Sequence, residues 1–228
     1  MPTLFICGDP HGRFEHIVDA ARSERPVAVI LLGDLELNAP LDIVFEKICD
    51  HSPVLWIPGN HDTEDEQALD FLFNSKLASN NLHGRVVDIG GMRVAGLGGV
   101  FRSKVWTGAQ ARYGSPEEYV TRCGKGNLWR GGLPMRHRST IFPSDVERLC
   151  NENADILITH EAPGEHKHGN AVLSELAGKL GVKGAFHGHH HESIRYPDGV
   201  WRGVGLGEIV RVTWVESSAA IGVQILSS

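Results

Sequence analysis

The sequence has only four cysteines, and they stand far apart. Cys7, Cys49, Cys123 and Cys150 form no C-x-x-C pair. This spacing gives no support to a disulfide framework and favours reduced thiols in a cytoplasmic protein. We therefore expect a cytoplasmic location.

Long hydrophobic runs are also missing. No stretch approaches the roughly 18 consecutive apolar residues that a membrane-spanning helix needs. The first residues read as a strand, without the basic region and apolar region of a secretory leader. We expect no membrane partner.

Basic residues are fewer than acidic residues in the whole chain, but many of them are concentrated in one segment. The net charge of −6 gives no general attraction to nucleic acid, so a nucleic acid is not the expected partner. Residues 101–140, here called the basic segment, nevertheless contain eight Lys or Arg and only two acidic residues. We interpret this segment as a cap-like insertion in a single domain covering 1–228.

The first third of the chain alternates between strand and helix patterns, which is typical of βαβ units. The predicted strands are 4–7, 27–32 and 54–57, and the predicted helices are 14–23, 41–50 and 64–73. Further along, we predict a hairpin at 86–97, strands at 156–159 and 184–187, and helices at 116–123, 144–151 and 171–180. Ser144 is the predicted cap of its helix. From residue 194 onward, glycines separate what we predict to be antiparallel strands.

Polar side chains follow five of these strands, at the point where each strand ends. They are Asp9, His11, Asp34, Asn60, His61, His160, His189 and His191. The carboxyl ends of strands in an open α/β sheet lie where ligands bind, so we expect these side chains to converge. Carboxylate, imidazole and amide donors without a thiol suit Mn²⁺, Fe or Zn²⁺.

Two pairs of these residues are spaced at i and i+2. In an extended chain such residues point to the same side, so Asp9 with His11, and His189 with His191, would each reach one ion. Pro10 biases Asp9 toward an extended backbone. We therefore predict an extended chain at both pairs.

The blocks GDPHG, GDLE, GNHD, THEAP and GHHH occur in this order between residues 8 and 191. Together they resemble the motifs of the calcineurin-like metallophosphoesterase superfamily. The resemblance implies an α/β fold, a four-layer α/β/β/α sandwich of two mixed β-sheets flanked by helices, in which the strands after residue 194 would supply the second sheet. It also implies a single metallophosphoesterase domain over 1–228.

The resemblance further implies two divalent metal ions, with Mn²⁺ preferred and Fe or Zn²⁺ as alternatives. Asp9, His11 and His191 would bind the first ion, Asn60, His160 and His189 the second, and Asp34 both. A metal-activated hydroxide would attack phosphorus, and His61 would act as general acid. Asp62 is the predicted partner that orients His61.

The expected substrate is a small phosphodiester or phosphomonoester, nucleotides included, with a preference for the diester. We predict substrate contacts from Arg102, in the basic segment, and from Arg13. The protein phosphatase branch continues its second block as G-D-x-x-D-R-G, whereas residues 33–38 read GDLELN. This departure disfavours a Ser/Thr-type protein phosphatase, which stays an alternative beside a non-catalytic scaffold module and a nuclease.

Overall fold

The structure is a computed structural model that describes residues 1–215 and 221–226. Its strands in chain order are β1 (Thr3–Cys7), β2 (Ala28–Leu31), β3 (Val54–Trp56), β4 (Arg85–Ile89), β5 (Met92–Leu97), β6 (Ile156–Thr159), β7 (Gly184–His187), β8 (Ile194–Arg195), β9 (Trp201–Gly203), β10 (Ile209–Trp214) and β11 (Ile221–Leu226). Its α-helices are α1 (Glu15–Glu24), α2 (Leu41–Val44), α3 (Glu66–Phe73), α4 (Pro116–Arg122), α5 (Pro143–Leu149) and α6 (Ala171–Leu180). Short 3₁₀-helices cover His61–Thr63, Ala78–Asn80, Lys125–Asn127 and Met135–Ser139.

The strands form two mixed sheets. The first has the order β11-β10-β1-β2-β3, in which β1, β2 and β3 run parallel and β10 is antiparallel to both neighbours. The second has the order β4-β5-β6-β7-β9-β8, with β5, β6, β7 and β9 parallel. Strands β4 and β8 close its two edges in antiparallel fashion.

Alternation along each strand divides the core into layers. In β1, Leu4 and Ile6 lie in the cluster between the two sheets, whereas Phe5 and Cys7 face the helices outside the first sheet. A third cluster packs α5 and α6 against the outer face of the second sheet. A period of two places successive side chains on opposite faces, so each sheet is covered on both sides. The predicted four-layer α/β/β/α sandwich is confirmed.

The C-terminal part of the chain is shared between the sheets. We expected the strands after residue 194 to supply the second sheet, and this is wrong for β10 and β11. Strand β10 pairs with β1, matching Thr3 with Thr213 and Cys7 with Ile209, and β11 extends that sheet. Only β8 and β9 join the second sheet, where β9 runs parallel to β7.

The end of helix α2 and the start of helix α5 differ from the prediction for identifiable reasons. Helix α2 ends at Val44 rather than near residue 50. Tighter turns follow it, in which an N–H donates to the carbonyl three residues earlier, as the Ile48 N–H does to the Phe45 carbonyl. Helix α5 begins at Pro143, and the Asp145 carboxylate, not Ser144, accepts a hydrogen bond from the N–H of Phe142 at 2.9 Å.

The two ends of the basic segment lie next to each other after strand β5. Val100 and Thr140 form an isolated bridge at its two ends, and the N–H of Ile141 donates to the carbonyl of Val100. Inside the segment, Trp106 and Tyr119 are buried in the cluster outside the second sheet. Its identity as an insertion in a single domain stays a prediction.

Among the described residues, every helix is too short or too polar to cross a membrane.

Candidate metal centre

The predicted ligands lie at the carboxyl ends of β1, β2, β3, β6 and β7 and meet at one edge of the sandwich. The described residues contain three groups of possible metal donors, and within each group the donor atoms all lie within 4.8 Å of one another. The first comprises His11, Asp34 and His191, the second comprises Asp34, His160 and His189, and the third comprises Glu161, His189 and His190. Asp34 is common to the first two groups. Five separate loops therefore build one continuous donor cluster around a shared carboxylate.

The first group is open to solvent on one side. The Nε2 atoms of His11 and His191 lie 3.1 Å apart, and the His191 Nε2 atom lies 3.8 Å from Asp9 Oδ2. Two imidazole nitrogens that face each other at this distance need a shared proton or a shared cation between them. Asp9 itself is fully buried beneath the group.

The second group is more deeply buried. His160 is inaccessible to solvent, and its Nδ1–H donates to the Leu32 carbonyl at 2.8 Å. That bond directs Nε2 toward the centre, 3.4 Å from Asp34 Oδ2 and 3.1 Å from Asn60 Oδ1. A backbone carbonyl that fixes the imidazole in this way is a common support for a metal-binding histidine. The ring of His189 lies 5.0 Å from that of His160.

The Asp9 carboxylate is the clearest sign that a cation belongs here. Neither of its oxygens has a hydrogen-bond partner among the described residues, although the side chain is fully buried. Burial raises the pKa of Asp9 to about 6, although the charge of His160, whose Nδ1 atom lies 3.6 Å from Asp9 Oδ1, opposes this shift. Buried polar atoms without partners are rare in folded proteins, and a cation would satisfy both of these.

Charge in the second group is divided between Asp34 and His160. Burial opposes the ionisation of both, but their mutual attraction prevails, so the pKa of Asp34 is lowered and that of His160 is raised to about 10. Burial, followed by the charge of His160, lowers the pKa of His189 to about 4. A cation that binds these groups must therefore displace a proton from His160, which couples metal binding to proton release.

The backbone at five of the seven predicted ligands is left-handed rather than extended. The φ angles are 29° at Asp9, 42° at His11, 52° at Asp34, 68° at His189 and 57° at His191. Our prediction of an extended chain at the two i, i+2 pairs is therefore wrong, although each pair does face the cluster. Residues other than glycine rarely adopt positive φ, and such strain is concentrated at functional sites.

Two glycines leave room for the carboxylates. A Cβ atom on Gly59 would lie 2.1 Å from Asp34 Oδ1, and one on Gly188 would lie 2.4 Å from Asp9 Oδ1. Contacts this short exclude any side chain at either position. The glycines that precede Asn60 and His189 in the motifs are therefore needed for close approach of the loops.

Asp62 has a different position from the predicted one. We expected it to orient His61, but its carboxylate is buried and accepts three backbone hydrogen bonds. The donors are the N–H groups of Asp34 at 2.9 Å, Leu35 at 2.7 Å and Gly59 at 2.7 Å. Asp62 thus joins the loop after β2 to the loop after β3, next to the shared ligand.

His61 is flanked by carboxylates that the sequence reasoning missed. Its half-exposed ring lies beside that of His11, with centroids 5.5 Å apart. The Nδ1 atom lies 3.2 Å from Glu64 Oε2 and 3.7 Å from Glu36 Oε1. Glu36 also contacts His11 Nδ1 at 2.9 Å. The signal was present, because Glu64 follows His61 by one helical turn and Glu36 follows Asp34 by two residues.

The two predicted substrate arginines lie in different surroundings. Arg102 is half-buried, with its Nη2 atom 3.4 Å from Ser139 Oγ, and it lies within electrostatic range of Asp34. Arg13 is exposed in the turn before α1, where its N–H donates to the Pro10 carbonyl. Arg102 is therefore near enough to the donor cluster to interact with its charge, and the contacts of Arg13 supply no such link.

Comparison with known proteins is consistent with this geometry. Residues 2–193 match a family model described as calcineurin-like phosphoesterase. An uncharacterised protein of Haemophilus influenzae is 45% identical over 194 residues, which cover 85% of each chain.

Solved structures show the same fold at low sequence identity. TT1561 of Thermus thermophilus superposes with a TM-score of 0.59 at 18% identity, covering 98% of both chains. A structure described as a novel phosphatase from Mycoplasma pneumoniae gives a TM-score of 0.53 at 10% identity, covering 99% of this chain and 92% of the other.

The unpartnered Asp9 carboxylate generates a stability prediction. In metal-free protein at neutral pH, Asp9→Asn should raise the free energy of unfolding by roughly 1–3 kcal/mol, because it removes a buried charge. A raised carboxyl pKa makes this gain largest above pH 6, and it should vanish as the pH falls toward 3.8. Urea unfolding of chelator-treated protein measures the gain, and elemental analysis should show less bound metal.

The matched control is Asp145→Asn. Asp145 is also buried, but its carboxylate accepts from the Phe142 N–H and lies 3.4 Å from His83. This substitution should lower the free energy of unfolding. Equal effects of the two substitutions would contradict the assignment of Asp9 as an unsatisfied carboxylate.

The Asp62 contacts generate a second prediction. Asp62→Asn replaces one accepting oxygen with an N–H₂ group directed at backbone donors, so it should destabilise the protein by about 2 kcal/mol or more. Asp65→Asn is the control, because Asp65 caps α3 by accepting from the Ala68 N–H, and asparagine caps equally well. Thermal unfolding of the two variants, each with and without metal, distinguishes them. An undisturbed Asp62→Asn protein would disprove the bridging role.

Proposed function

This chain belongs to the calcineurin-like phosphoesterase family, and on that basis we propose that it is a metal-dependent enzyme that hydrolyses a small phosphodiester or phosphomonoester, nucleotides included. The observation that carries the proposal is the pair of donor groups sharing Asp34, with His61 beside them. The fold alone would not support it, because one fold hosts many functions.

The donor cluster has the chemistry to hold two divalent cations. Asp9, His11 and His191 would hold one, Asn60, His160 and His189 the other, with Asp34 contributing to both. When bound, such a pair supplies hydroxide at neutral pH and stabilises negative charge on phosphoryl oxygens. We propose Mn²⁺ as the preferred metal, with Fe or Zn²⁺ as alternatives, because all donors are nitrogen or oxygen.

The limited number of carboxylates favours an anionic substrate. The carboxylates of Asp9 and Asp34 would neutralise only part of the positive charge of two divalent cations. The Asn60 side chain, whose Oδ1 atom lies 3.1 Å from His160 Nε2, is neutral and would neutralise none of it. The loaded centre would keep a positive bias toward phosphate. Arg102 is a proposed contact to phosphate of the substrate, and Arg13 would add a weaker contact from the rim.

His61 is the proposed general acid. Glu64 and Glu36 both contact its Nδ1 atom, so Nε2 is left for the leaving group. As the bond between phosphorus and the leaving oxygen breaks, the proton on Nε2 would pass to that oxygen, and the products are an alcohol and a phosphate. Asp62 would act as a positioning residue through the loop that carries Asp34 and not on His61 itself.

The alternatives are supported less well. A Ser/Thr-type protein phosphatase would use the second aspartate and the arginine of its G-D-x-x-D-R-G block, and Leu37 and Asn38 stand there instead. A scaffold module would have no need of a complete donor set. The free thiols of the described cysteines support the proposed cytoplasmic location.

The proposal is tested by a substrate panel on protein purified without chelator or His-tag and then assayed with Mn²⁺. We expect hydrolysis of para-nitrophenyl phosphate, of its bis-ester or of the thymidine ester, and loss of activity after chelation. Elemental analysis should find about two metal ions per chain. Bound metal without turnover of any of the three substrates would contradict the proposal and support the scaffold alternative.

Leaving-group dependence tests the role of His61. His61→Ala should lower kcat by roughly 10²–10⁴-fold on an alkyl phosphate, whose leaving group needs a proton. The loss on para-nitrophenyl phosphate should be much smaller, because nitrophenolate leaves without protonation. Metal content should stay near that of the parent protein.

His51→Ala is the control, since the ring of His51 contacts Ser52 far from the donor cluster. It should leave both rates unchanged. An equal loss on the two substrates in His61→Ala would show that His61 does not act as the acid.

A further inference from the structure

A cavity of about 400 Å³ opens in the basic segment. Its lining residues are Phe101, Arg102, Ser103, Lys104, Arg136 and His137. Three of these are cationic and none is acidic. We call this the basic cavity.

The basic cavity is joined to the His61 side of the centre by two short chains of contacts. Arg136 lies 3.3 Å from Glu64, which in turn contacts His61. The hydroxyl groups of Ser139 and Thr63 lie 2.6 Å apart, and Thr63 belongs to the same 3₁₀-helix as His61. The cavity therefore lies on the side of the centre where His61 stands.

The positive charge of the cavity is only partly compensated. Arg136 pairs with Glu64, and elsewhere in the basic segment Arg130 pairs with Glu66 and Asp70. Within residues 1–215 and 221–226, no carboxylate lies in ion-pair distance of Arg102 or Lys104. The Nε atom of Arg102 is buried and has no hydrogen-bond partner in this part of the chain.

The positive charges around the cavity also affect the pKa values of Arg102 and His137. Burial, and then the charge of Arg136, lowers the pKa of Arg102. Burial, and then the charges of Arg102 and Lys104, lowers the pKa of His137. A group that enters this cavity is therefore favoured if it carries negative charge.

We infer that the substrate carries two phosphate groups, one cleaved at the metal centre and the other, on the leaving group, bound in the basic cavity by Arg102, Lys104 and Arg136. This inference rests on the proposed function, since His61 marks the side on which the leaving group departs. Arginine binds phosphate through two parallel N–H bonds, and the unpartnered Nε–H of Arg102 would supply one of them.

The inference is tested with two substrates that differ only in the second phosphate, 1,3-propanediol monophosphate and 1,3-propanediol bisphosphate. With Mn²⁺ present, the parent protein should show a kcat/KM at least about tenfold higher on the bisphosphate. Arg102→Ala and Lys104→Ala should each lower this preference severalfold. Lys104 is exposed, so its variant is not expected to affect folding.

Lys125→Ala and Arg112→Ala are the matched controls. Both residues are exposed cations of the basic segment outside the cavity, so these variants remove the same charge from the same region. They should keep the preference of the parent protein. An equal loss in the controls would show that the preference reflects general electrostatic attraction and would overturn the inference.

A second readout does not depend on turnover. Calorimetry on chelator-treated protein with inorganic phosphate should detect binding that Arg102→Ala weakens at least about tenfold and Lys125→Ala does not. Absence of phosphate binding in the parent protein would overturn the inference.

The two proposals fail in different ways. Hydrolysis of both propanediol phosphates with equal kcat/KM would overturn the inference and leave the phosphoesterase proposal intact. Hydrolysis of neither, together with no turnover of para-nitrophenyl phosphate, its bis-ester or the thymidine ester, would overturn the proposed function. Calorimetry would then decide on its own whether the basic cavity binds phosphate.

Discussion

The rest of this structure depends on the burial of two carboxylates, Asp9 and Asp34, at the ends of neighbouring parallel strands. Burial raises the pKa of Asp9, and the negative charge of Asp34 raises it further. In the metal-free chain His160 supplies the opposing charge, since its pKa is raised by Asp34. Divalent cations would take over this compensation, and the strained loops and close-approach glycines keep the carboxylates together until they do. The metal-free centre therefore lowers the free energy of unfolding, and in return it holds the donor groups in position to bind cations.

The loops that carry the ligands are held by the backbone rather than by ligand side chains alone. Asp62 accepts from amides on both sides of Asp34 and from Gly59, so it holds the loops after β2 and β3 at a fixed separation. Glu36 and Glu64 act one layer further out, on the rings of His11 and His61. Arg136 then connects this layer to the basic segment. The acidic and basic residues around the centre thus form one connected network.

Many of the strands and most of the candidate ligands could be predicted from the sequence, and the reasons are physical. Buried strands carry an apolar run that ends in a polar turn, so β1, β6 and β7 and the residues that follow them could be placed from the sequence. The local geometry at Asp9 could not, because i, i+2 spacing is compatible with extended and left-handed backbones alike. The role of Asp62 depends on amides of Leu35 and Gly59, which motif spacing does not report. The pairing of β10 with β1 is a contact between chain ends, and local patterns carry no information on such contacts.

The place of β10 has a consequence for how the protein is made. Strand β1 carries the first ligand loop, yet one of its edges stays open until residues 209–214 arrive to cover it. On the ribosome, this apolar strand would keep an uncovered edge until residues 209–214 are translated, and such edges invite association with other chains. The nascent polypeptide thus has a reason to engage a chaperone during synthesis, and its ligand loops cannot all come together before His189 and His191 have been added.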